Sequence, residues 1–287
     1  MSLAENLEKL SNARGVAGRE EEVRTLMTAF LKPYADEVVV DKMENVVAIK
    51  KGKKGKPKVM LAAHMDEVGL MVKTITKDGF LQFTKMGGID DRILLAQKVN
   101  VLTDKTALPG IVGSKPPHIQ KEEERKKIVS YDEMFIDIGA SSRENALAMG
   151  VKVGDPIAFD VKYVGLGNNC VMGKAFDNRA GCAVMIETLK QLKQTDCTVY
   201  AVGTVQEEVG LRGAATAAFN IEPDYAIALD VSIAGDVPGV REFDTSVKIG
   251  KGPSAKQKLV AVNFFFFLQF CCSCFTFLFC FQNNTQL

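Results

Sequence analysis

The stretch Lys-Ala-Phe-Asp-Asn-Arg, residues 174–179, decides the fold, because an acidic residue stands where a glycine-bearing segment gives way to a helix. Three apolar runs typical of strands also end in residues that can bind metal ions. These runs are 59–63 before His64 and Asp66, 199–205 before Glu207 and Glu208, and 225–229 before Asp230. In an open α/β sheet the carboxyl ends of the strands form one edge, where ligands and active sites collect. With Asp177 at a helix start facing that edge, the pattern predicts a hydrolytic metal centre of one imidazole and five carboxylates.

Length and composition are typical of a soluble globular protein that can bury a substantial core. The chain has 287 residues, of which 47% are hydrophobic and 25% charged. The formal net charge of +1 gives no support for a nucleic-acid partner. The start of the chain is an acidic amphipathic pattern and lacks the basic-then-apolar plan of a secretory signal. Because three cysteines are scattered singly through the body, we expect a reducing, cytoplasmic setting.

The chain alternates between an α/β pattern and a β-rich segment. Apolar residues at helical spacing predict helices, and alternating apolar runs predict a hairpin and further strands. The predicted bounds are 3–13, about 19–33, from Asp177 to about 193 and 211–219 for helices, and 37–41, 45–49 and near 246–250 for strands.

The middle of the chain changes to short strands separated by turns rich in glycine and proline. It also contains one short helix, for which Ser141 and Glu144 form a capping box. We therefore predict an α/β fold in which a mixed sheet flanked by helices carries an inserted small β-rich domain. The α/β domain comprises residues 1–70 and 165–254, and the insert comprises residues 71–164.

The C-terminal stretch 262–281 contains no charged residue and is dominated by phenylalanine. Because Phe, Leu, Ser and Cys have pyrimidine-rich codons, we interpret residues 255–287 as an aberrant Phe/Cys-rich tail from intron or frameshifted sequence. Two alternatives stay open. Roughly 20 such residues are long enough to span a bilayer, and they could also form a very apolar pair of core strands.

His64 and Asp66 are two positions apart, so on a strand that continues to residue 66 they point to one face. This spacing allows a metal ligand next to a carboxylate that orients its imidazole, since a ligating histidine usually donates its other ring proton to an acceptor. A hydrogen-bonded core histidine is the alternative. The acidic residues after the other strands favour the metal site.

Glu207 and Glu208 are adjacent, so on extended backbone we expect their side chains to diverge. Divergence suits a division of labour in which one carboxylate binds metal and the other handles a proton. The alternatives are two solvated glutamates, or a glycosidase pair, which divergence disfavours because those carboxyls face each other across ~5–9.5 Å.

Asp177 and Asp230 complete the predicted centre. A carboxylate can bridge two ions ~3.5–4 Å apart, and such two-metal sites occur in aminopeptidases. The oxygen-rich ligand set suits zinc, cobalt or manganese. The α/β parts contain no HExxH, Walker, GxSxG or GxGxxG motif that would indicate another enzyme class.

Four motifs together resemble those of the tetrahedral (TET) dinuclear-metal aminopeptidases, the glutamyl, leucyl and deblocking aminopeptidases, some of which carry an endoglucanase label. The motifs are His-Met-Asp-Glu at 64–67, Ala-Phe-Asp-Asn-Arg at 175–179, Gln-Glu-Glu-Val-Gly at 206–210 and Ala-Leu-Asp at 228–230, with Gly-Ser-Lys-Pro-Pro-His at 113–118 of the insert. The similarity covers about residues 1–254 in order and implies a zinc-peptidase-like sheet.

The resemblance implies a metal ligand set. Asp177 would bridge two divalent metal ions, zinc or cobalt, and His64 and Asp230 would complete one site. Glu208 would bind the other ion.

The resemblance also implies catalytic roles and an assembly. Glu207 would be the general base that takes a proton from a metal-activated water, and Asp66 would steer His64. The implied reaction removes N-terminal residues from a peptide substrate. The insert would be a dimerisation domain, from which homo-oligomers are built up to a dodecamer.

One feature departs from the family pattern. The family's last histidine ligand lies beyond the position that matches Ser254, whereas this chain contains only His64 and His118. We therefore expect the second metal site to lack a ligand and the chain to be C-terminally truncated. A non-catalytic truncated paralogue that acts through oligomerisation, and a membrane-anchored peptidase, are the alternatives to an active aminopeptidase.

Overall fold

The chain divides into two compact units, Met1–Glu67 with Lys162–Leu287 and Val68–Val161. A computed structural model describes residues 1–241, 245 and 247–252, together with the backbone of residues 254–260, 263–272 and 277–280. The helices of this described part are α1 (Leu3–Asn12), α2 (Glu21–Leu31), α3 (Glu122–Arg125), α4 (Arg143–Ala148), α5 (Phe176–Gln191) and α6 (Arg212–Ile221).

The strands fall into two series, one for each unit. In chain order they are β1 (Glu37–Val40), β2 (Val46–Lys50), β3 (Lys58–His64), β4 (Gly69–Ile75), β5 (Leu81–Met86), β6 (Lys98–Leu102), β7 (Ala107–Ser114), β8 (Met134–Asp137), β9 (Pro156–Phe159), β10 (Val164–Gly165), β11 (Cys170–Gly173), β12 (Thr198–Thr204), β13 (Tyr225–Ile233), β14 (Ser254–Val260), β15 (Asn263–Cys272) and β16 (Phe277–Cys280).

A mixed sheet organises the first unit, with its strands in the order β1-β2-β12-β3-β13-β15-β14. Strand β3 pairs parallel with both β12 and β13, and β15 pairs parallel with β13. Strands β1, β2 and β14 are joined by antiparallel pairs. The predicted α/β class with a mixed sheet flanked by helices is confirmed.

Helices cover both faces of this sheet, which explains why its central strands are apolar along most of their length. Successive residues of a strand point to opposite faces, so β3 contributes to two cores. Leu61 and Ala63 belong to the core that includes residues of α1, α2 and α5, whereas Met60 packs with Ala217 and Ile221 of α6.

The second unit is a closed antiparallel barrel with its strands in the order β4-β5-β8-β7-β6-β9. Its core contains alternate apolar residues of the strands, among them Leu70, Phe83, Val101, Ile136 and Ile157. Closure of the barrel removes free strand edges from this small unit.

Two local predictions were wrong. The N-cap of α4 is Ser142 rather than Ser141, and its hydroxyl accepts the backbone N–H of Asn145 at 3.2 Å. Ser141 instead donates its backbone N–H to the Asn145 side chain at 3.1 Å. The β segment predicted near 246–250 is also not found, since of its described residues 247–248 are irregular and 249–250 form a turn.

Three strands lie in the C-terminal part of the chain. β14 and β15 extend the mixed sheet, and β16 pairs antiparallel with β11. The interpretation of residues 255–287 as an aberrant tail stays a prediction, and its residues 261–262, 273–276 and 281–287 lie outside the described residues. Within the described part of the chain, no helix is both long and apolar enough to cross a membrane.

Candidate metal centre

The candidate centre lies where three neighbouring strands of the first unit end. His64 is the last residue of β3, and it pairs with Thr204, the last residue of β12. Asp230 lies within β13, two positions beyond Ala228, where the pairing with β3 stops. Because β12, β3 and β13 are parallel neighbours, their carboxyl ends share one edge, as the sequence predicts.

His64 stands at the middle of the cluster and is almost fully buried. Its Nε2 atom lies 2.9 Å from Oδ1 of Asp177 and 3.9 Å from Oε2 of Glu207. Two groups of three residues each bring their ligand atoms within 4.8 Å of one another. The first group is His64, Asp177 and Asp230, and the second is His64, Glu207 and Glu208. The structure thus brings all the predicted ligands and the predicted base together around one imidazole.

The beginning of α5 places Asp177 next to Asp230. Asp177 and Asn178 have non-helical backbone angles, so the regular helix starts after them. The side-chain amide of Asn178 donates to the carbonyl of Leu229 at 2.7 Å, and its Oδ1 accepts the N–H of Gly181 at 3.1 Å. The first bond ties the segment that carries Asp177 to the strand residue that precedes Asp230, and the second lies within α5.

Asp66 does not share a strand with His64, because β3 ends at residue 64. It is fully buried beyond the strand, where its Oδ1 and Oδ2 accept the backbone N–H groups of Glu207 and Glu208, each at 3.0 Å. The Nδ1 atom of His64 lies 3.1 Å from the Asp66 carbonyl oxygen and 3.5 Å from Oδ1. Asp66 therefore contacts both the imidazole and the backbone that carries the two glutamates.

Glu207 and Glu208 do not diverge, so that prediction was wrong. The strand β12 ends at Thr204, and Gln206 has a φ of +54°, which turns the backbone before the two glutamates. Beyond the end of the strand, successive side chains no longer alternate between opposite faces. As a result one carboxylate oxygen from each glutamate lies within 4.8 Å of the other and of His64.

The carboxylates of the centre are crowded and partly withdrawn from water. Burial raises the pKa of Glu208 to about 7 and that of Asp230 to about 6, and the nearby charge of Asp177 adds to both shifts. Burial also raises the pKa of Glu207. Although burial alone acts in the opposite direction, hydrogen bonds to Asp177 and Asp66 raise the pKa of His64 well above its usual value.

These shifts describe a site in which negative charge exceeds positive charge. Clustered carboxylates with raised pKa values are stabilised by a nearby cation, and metal ligands bind in their deprotonated forms. One imidazole with several carboxylate oxygens is a donor set that suits zinc, cobalt or manganese. The residues present therefore fit divalent metal ions.

A buried ionic cluster that was not predicted lies at the ends of the two ligand segments. Lys174 donates to both oxygens of Glu67, at 2.7 and 2.8 Å, and to the carbonyl of Ala13 at 2.7 Å. Arg179 donates to the carbonyls of Leu10 and Ala13 at 2.6 and 3.2 Å. Lys174 and Arg179 thus link both ends of the 174–179 segment to the C-terminal end of α1. Lys174 also links this segment to Glu67, the residue after Asp66.

Comparisons with known proteins agree on one group. The family model described as M42 glutamyl aminopeptidase matches residues 44–261. The putative aminopeptidase FrvX of Escherichia coli (strain K12) is 44% identical over 267 residues, which cover 90% of this chain and 74% of that protein. The lysyl aminopeptidase of Pyrococcus furiosus is 41% identical over 251 residues, which cover 87% of this chain and 71% of that protein.

Solved structures give the same result. The TET aminopeptidase of the marine sediment archaeon Thaumarchaeota archaeon SCGC AB-539-E09 has a TM-score of 0.85 at 47% identity and covers 88% of this chain and 72% of that one. PhTET1-12s, described as a dodecamer in the asymmetric unit, has a TM-score of 0.85 at 30% identity and covers 97% of this chain and 94% of that one.

Proposed function

The chain belongs to the M42 glutamyl aminopeptidase family, and on this premise we propose that the cluster around His64 is the centre at which it removes N-terminal residues from peptides. The observation that carries the proposal is the pair of three-residue groups that share His64 at the ends of β3 and its neighbours. Aminopeptidase is the activity named both for the relatives found by sequence and for the solved TET structure.

The ligand roles are those that the resemblance to the family implies, and the cluster brings the residues concerned together. His64, Asp177 and Asp230 would hold one ion, and Asp177 and Glu208 would hold the other, with Asp177 shared. When bound, two divalent ions such as zinc or cobalt polarise the peptide carbonyl and make a coordinated water more acidic. The first group is supported by geometry, because one ligand atom from each of His64, Asp177 and Asp230 lies within 4.8 Å of the others.

Glu207 is the proposed general base. Its carboxylate is partly exposed, and its Oε2 atom lies 3.9 Å from Nε2 of His64. Burial raises its pKa toward neutrality, which improves its ability both to accept a proton and to return it. Glu207 would take a proton from the attacking water at Oε2 and deliver it to the leaving amine.

The surplus of acidic groups supports a preference for a free amino terminus. One imidazole faces several carboxylates, so a protonated amine would be attracted to the site by its charge. Asp66 would act indirectly, since its carboxylate contacts His64 and holds the two glutamates through their backbone.

Assembly and setting are separate parts of the proposal. Described relatives assemble into a dodecamer, or into a tetrahedron or a large octahedral shell. We propose that this chain also forms homo-oligomers, with the barrel unit, Val68–Val161, as the dimerisation domain. The cytoplasmic setting stays a prediction from the sequence.

The test is peptide cleavage by the purified chain loaded with zinc or cobalt. A chromogenic amino-acid anilide with a free amine should be cleaved, its N-acetylated form should resist, and a chelator should abolish the reaction until metal is restored. Equal cleavage of the acetylated substrate would contradict the proposed preference for a free amino terminus, and full activity after chelation would contradict the metal centre. No cleavage with metal bound would favour the non-catalytic alternative.

A further inference from the structure

Four successive backbone amides between β12 and α6 all donate to buried side chains. The bonds run from Val205 N to Asn45 Oδ1 at 3.1 Å, from Gln206 N to Glu20 Oε1 at 3.1 Å, and from Glu207 N and Glu208 N to Asp66 Oδ1 and Oδ2 at 3.0 Å each. We refer to Glu20, Asn45 and Asp66 as the amide cradle. These three residues come from different elements, since Glu20 precedes α2, Asn45 precedes β2 and Asp66 follows β3.

The cradle is built into the core of the first unit. Each of its three residues is at most 1% exposed. A buried carboxylate or amide is stable only when its polar atoms are hydrogen-bonded. Glu20 Oε1 also accepts the N–H of Gly18 at 2.8 Å, and Asn45 Nδ2 donates to Asp41 at 2.8 Å. These additional bonds hold Glu20 and Asn45 in place independently of the segment 205–208.

The cradle takes the place of a strand partner for this segment. Regular pairing of β12 stops at Thr204, and Gln206 adopts a left-handed φ of +54°, which is unfavourable for a residue with a Cβ atom. Without the acceptors, the amides would be buried and unsatisfied, or the backbone would relax toward an extended form. In an extended form Glu207 and Glu208 would point to opposite sides.

We propose that Glu20 and Asn45 are positioning residues that hold Glu207 and Glu208 in the geometry of the centre, by binding the backbone of residues 205 and 206. The inference rests on the proposed function, because it takes Glu207 as the base and Glu208 as a metal ligand. Small displacements of reacting groups lower turnover strongly.

The first test measures the segment itself, without metal or substrate. Amide hydrogen exchange of the peptide 199–211 is followed by mass spectrometry in the chelator-treated parent and in Glu20→Ala, Glu20→Gln and Asn45→Ala. Glu20→Ala and Asn45→Ala should raise the exchange rate of this peptide at least about tenfold. Glu20→Gln keeps an oxygen acceptor and should stay close to the parent.

The second test separates positioning from general destabilisation. In the metal-loaded chain, Glu20→Ala should lower kcat at least about tenfold and change KM by less than about threefold, with Glu20→Gln retaining most of the activity. Asp155→Ala is the matched control, because Asp155 is also buried and its carboxylate accepts the N–H of Lys152 at 2.8 Å in the barrel unit. This variant should lose stability while keeping the parent's kcat and the parent's exchange in 199–211.

Unchanged exchange of 199–211 in Glu20→Ala and Asn45→Ala would overturn the inference. So would a loss of kcat in Glu20→Gln as large as in Glu20→Ala, because the acceptor would then not matter. If Glu20→Ala does not fold, Glu20→Asp is used instead, because its shorter side chain moves the carboxylate away from the amide of Gln206, and it should raise the exchange of 199–211 above that of the parent. A parent without activity would contradict the proposed function, whereas the exchange experiment still decides whether the cradle holds the segment.

Discussion

The Nε2 atom of His64 lies 2.9 Å from Oδ1 of Asp177, although the two residues are 113 positions apart in the chain. The contact joins the end of a central strand to the irregular start of α5. It also raises the pKa of His64, because the carboxylate stabilises the imidazolium. Protons and metal ions would therefore compete for the same pair of atoms, since a histidine binds metal only in its deprotonated form.

Replacing Asp177 tests whether it is shared by two ions. Asp177→Ala should lose both metal ions together, because the proposed bridge contributes to each site, whereas Asp230→Ala should weaken one site. Metal content of the folded chain after dialysis measures this directly. Asp78→Ala, which removes an exposed carboxylate from a turn of the barrel unit, should retain the parent's metal content. Two ions per chain in Asp177→Ala would show that the carboxylate is no bridge.

Replacing Glu207 separates proton transfer from metal binding. Glu207→Gln keeps the shape of the side chain but cannot accept a proton, so kcat should fall by about 10²–10⁴ while metal content stays unchanged. Steady-state kinetics and metal analysis of the same preparation check both parts. Glu21→Gln, on the exposed start of α2, serves as the control and should behave like the parent. A Glu207→Gln variant with the parent's kcat would remove Glu207 from the mechanism.

The pH dependence of stability should reveal the crowded carboxylates in the metal-free chain. The pKa of Glu208 is raised to about 7 from a usual value of 4.5, so its protonated form is favoured in the folded state. Stability from this group is fully present below the unfolded pKa and is lost as the pH rises through the folded pKa. Glu208→Gln removes this loss, so its gain in unfolding free energy relative to the parent should grow between about pH 5 and pH 8.

Urea unfolding of chelator-treated protein at several pH values measures that difference. Asp230, whose pKa is raised to about 6, should give the same trend at lower pH in Asp230→Asn. Saturating metal should abolish the loss of stability that the parent shows as the pH rises, since a bound cation stabilises the ionised carboxylates. A difference between Glu208→Gln and the parent that stays constant with pH would mean that the carboxyl is not withdrawn from water.

The shared edge at which the proposed ligands of the strands lie could be predicted, because that edge follows from topology alone. Parallel strands end at a shared edge whatever their side chains do, so His64, Glu207 and Asp230 are brought to one place by the order of β12, β3 and β13. The α/β class follows in the same way from the periodicity of the runs. These features need no knowledge of contacts between distant residues.

What the sequence did not predict depends on such contacts. The left-handed φ of Gln206, which keeps Glu207 and Glu208 together, is held by acceptors far away in the chain. One acceptor, Glu20, stands in a run of three glutamates that looks like a solvated helix start, yet Glu20 is buried while Glu21 is exposed. Composition and spacing give no signal that distinguishes members of such a run.

The buried pair Lys174 and Glu67 allows a test of how the ligand segments are anchored. Lys174→Met should destabilise the chain by about 3–5 kcal/mol, because it leaves the Glu67 carboxylate buried with only the backbone N–H of Gly15 at 3.0 Å and an Arg179 nitrogen 3.6 Å away. Glu67→Gln alone should cost less, and the double variant should be more stable than the sum of the two effects predicts.

Chemical unfolding of the four proteins of this double-mutant cycle, all without metal, gives the coupling free energy between Lys174 and Glu67. Lys54→Met paired with Asp196→Asn is a matched cycle on an exposed ion pair of 2.7 Å, for which the coupling should be below about 1 kcal/mol. Additive effects at Lys174 and Glu67 would mean that their contact adds nothing beyond burial. The anchoring of the 174–179 segment would then have to come from Arg179 and its bonds to α1 and the residue after it.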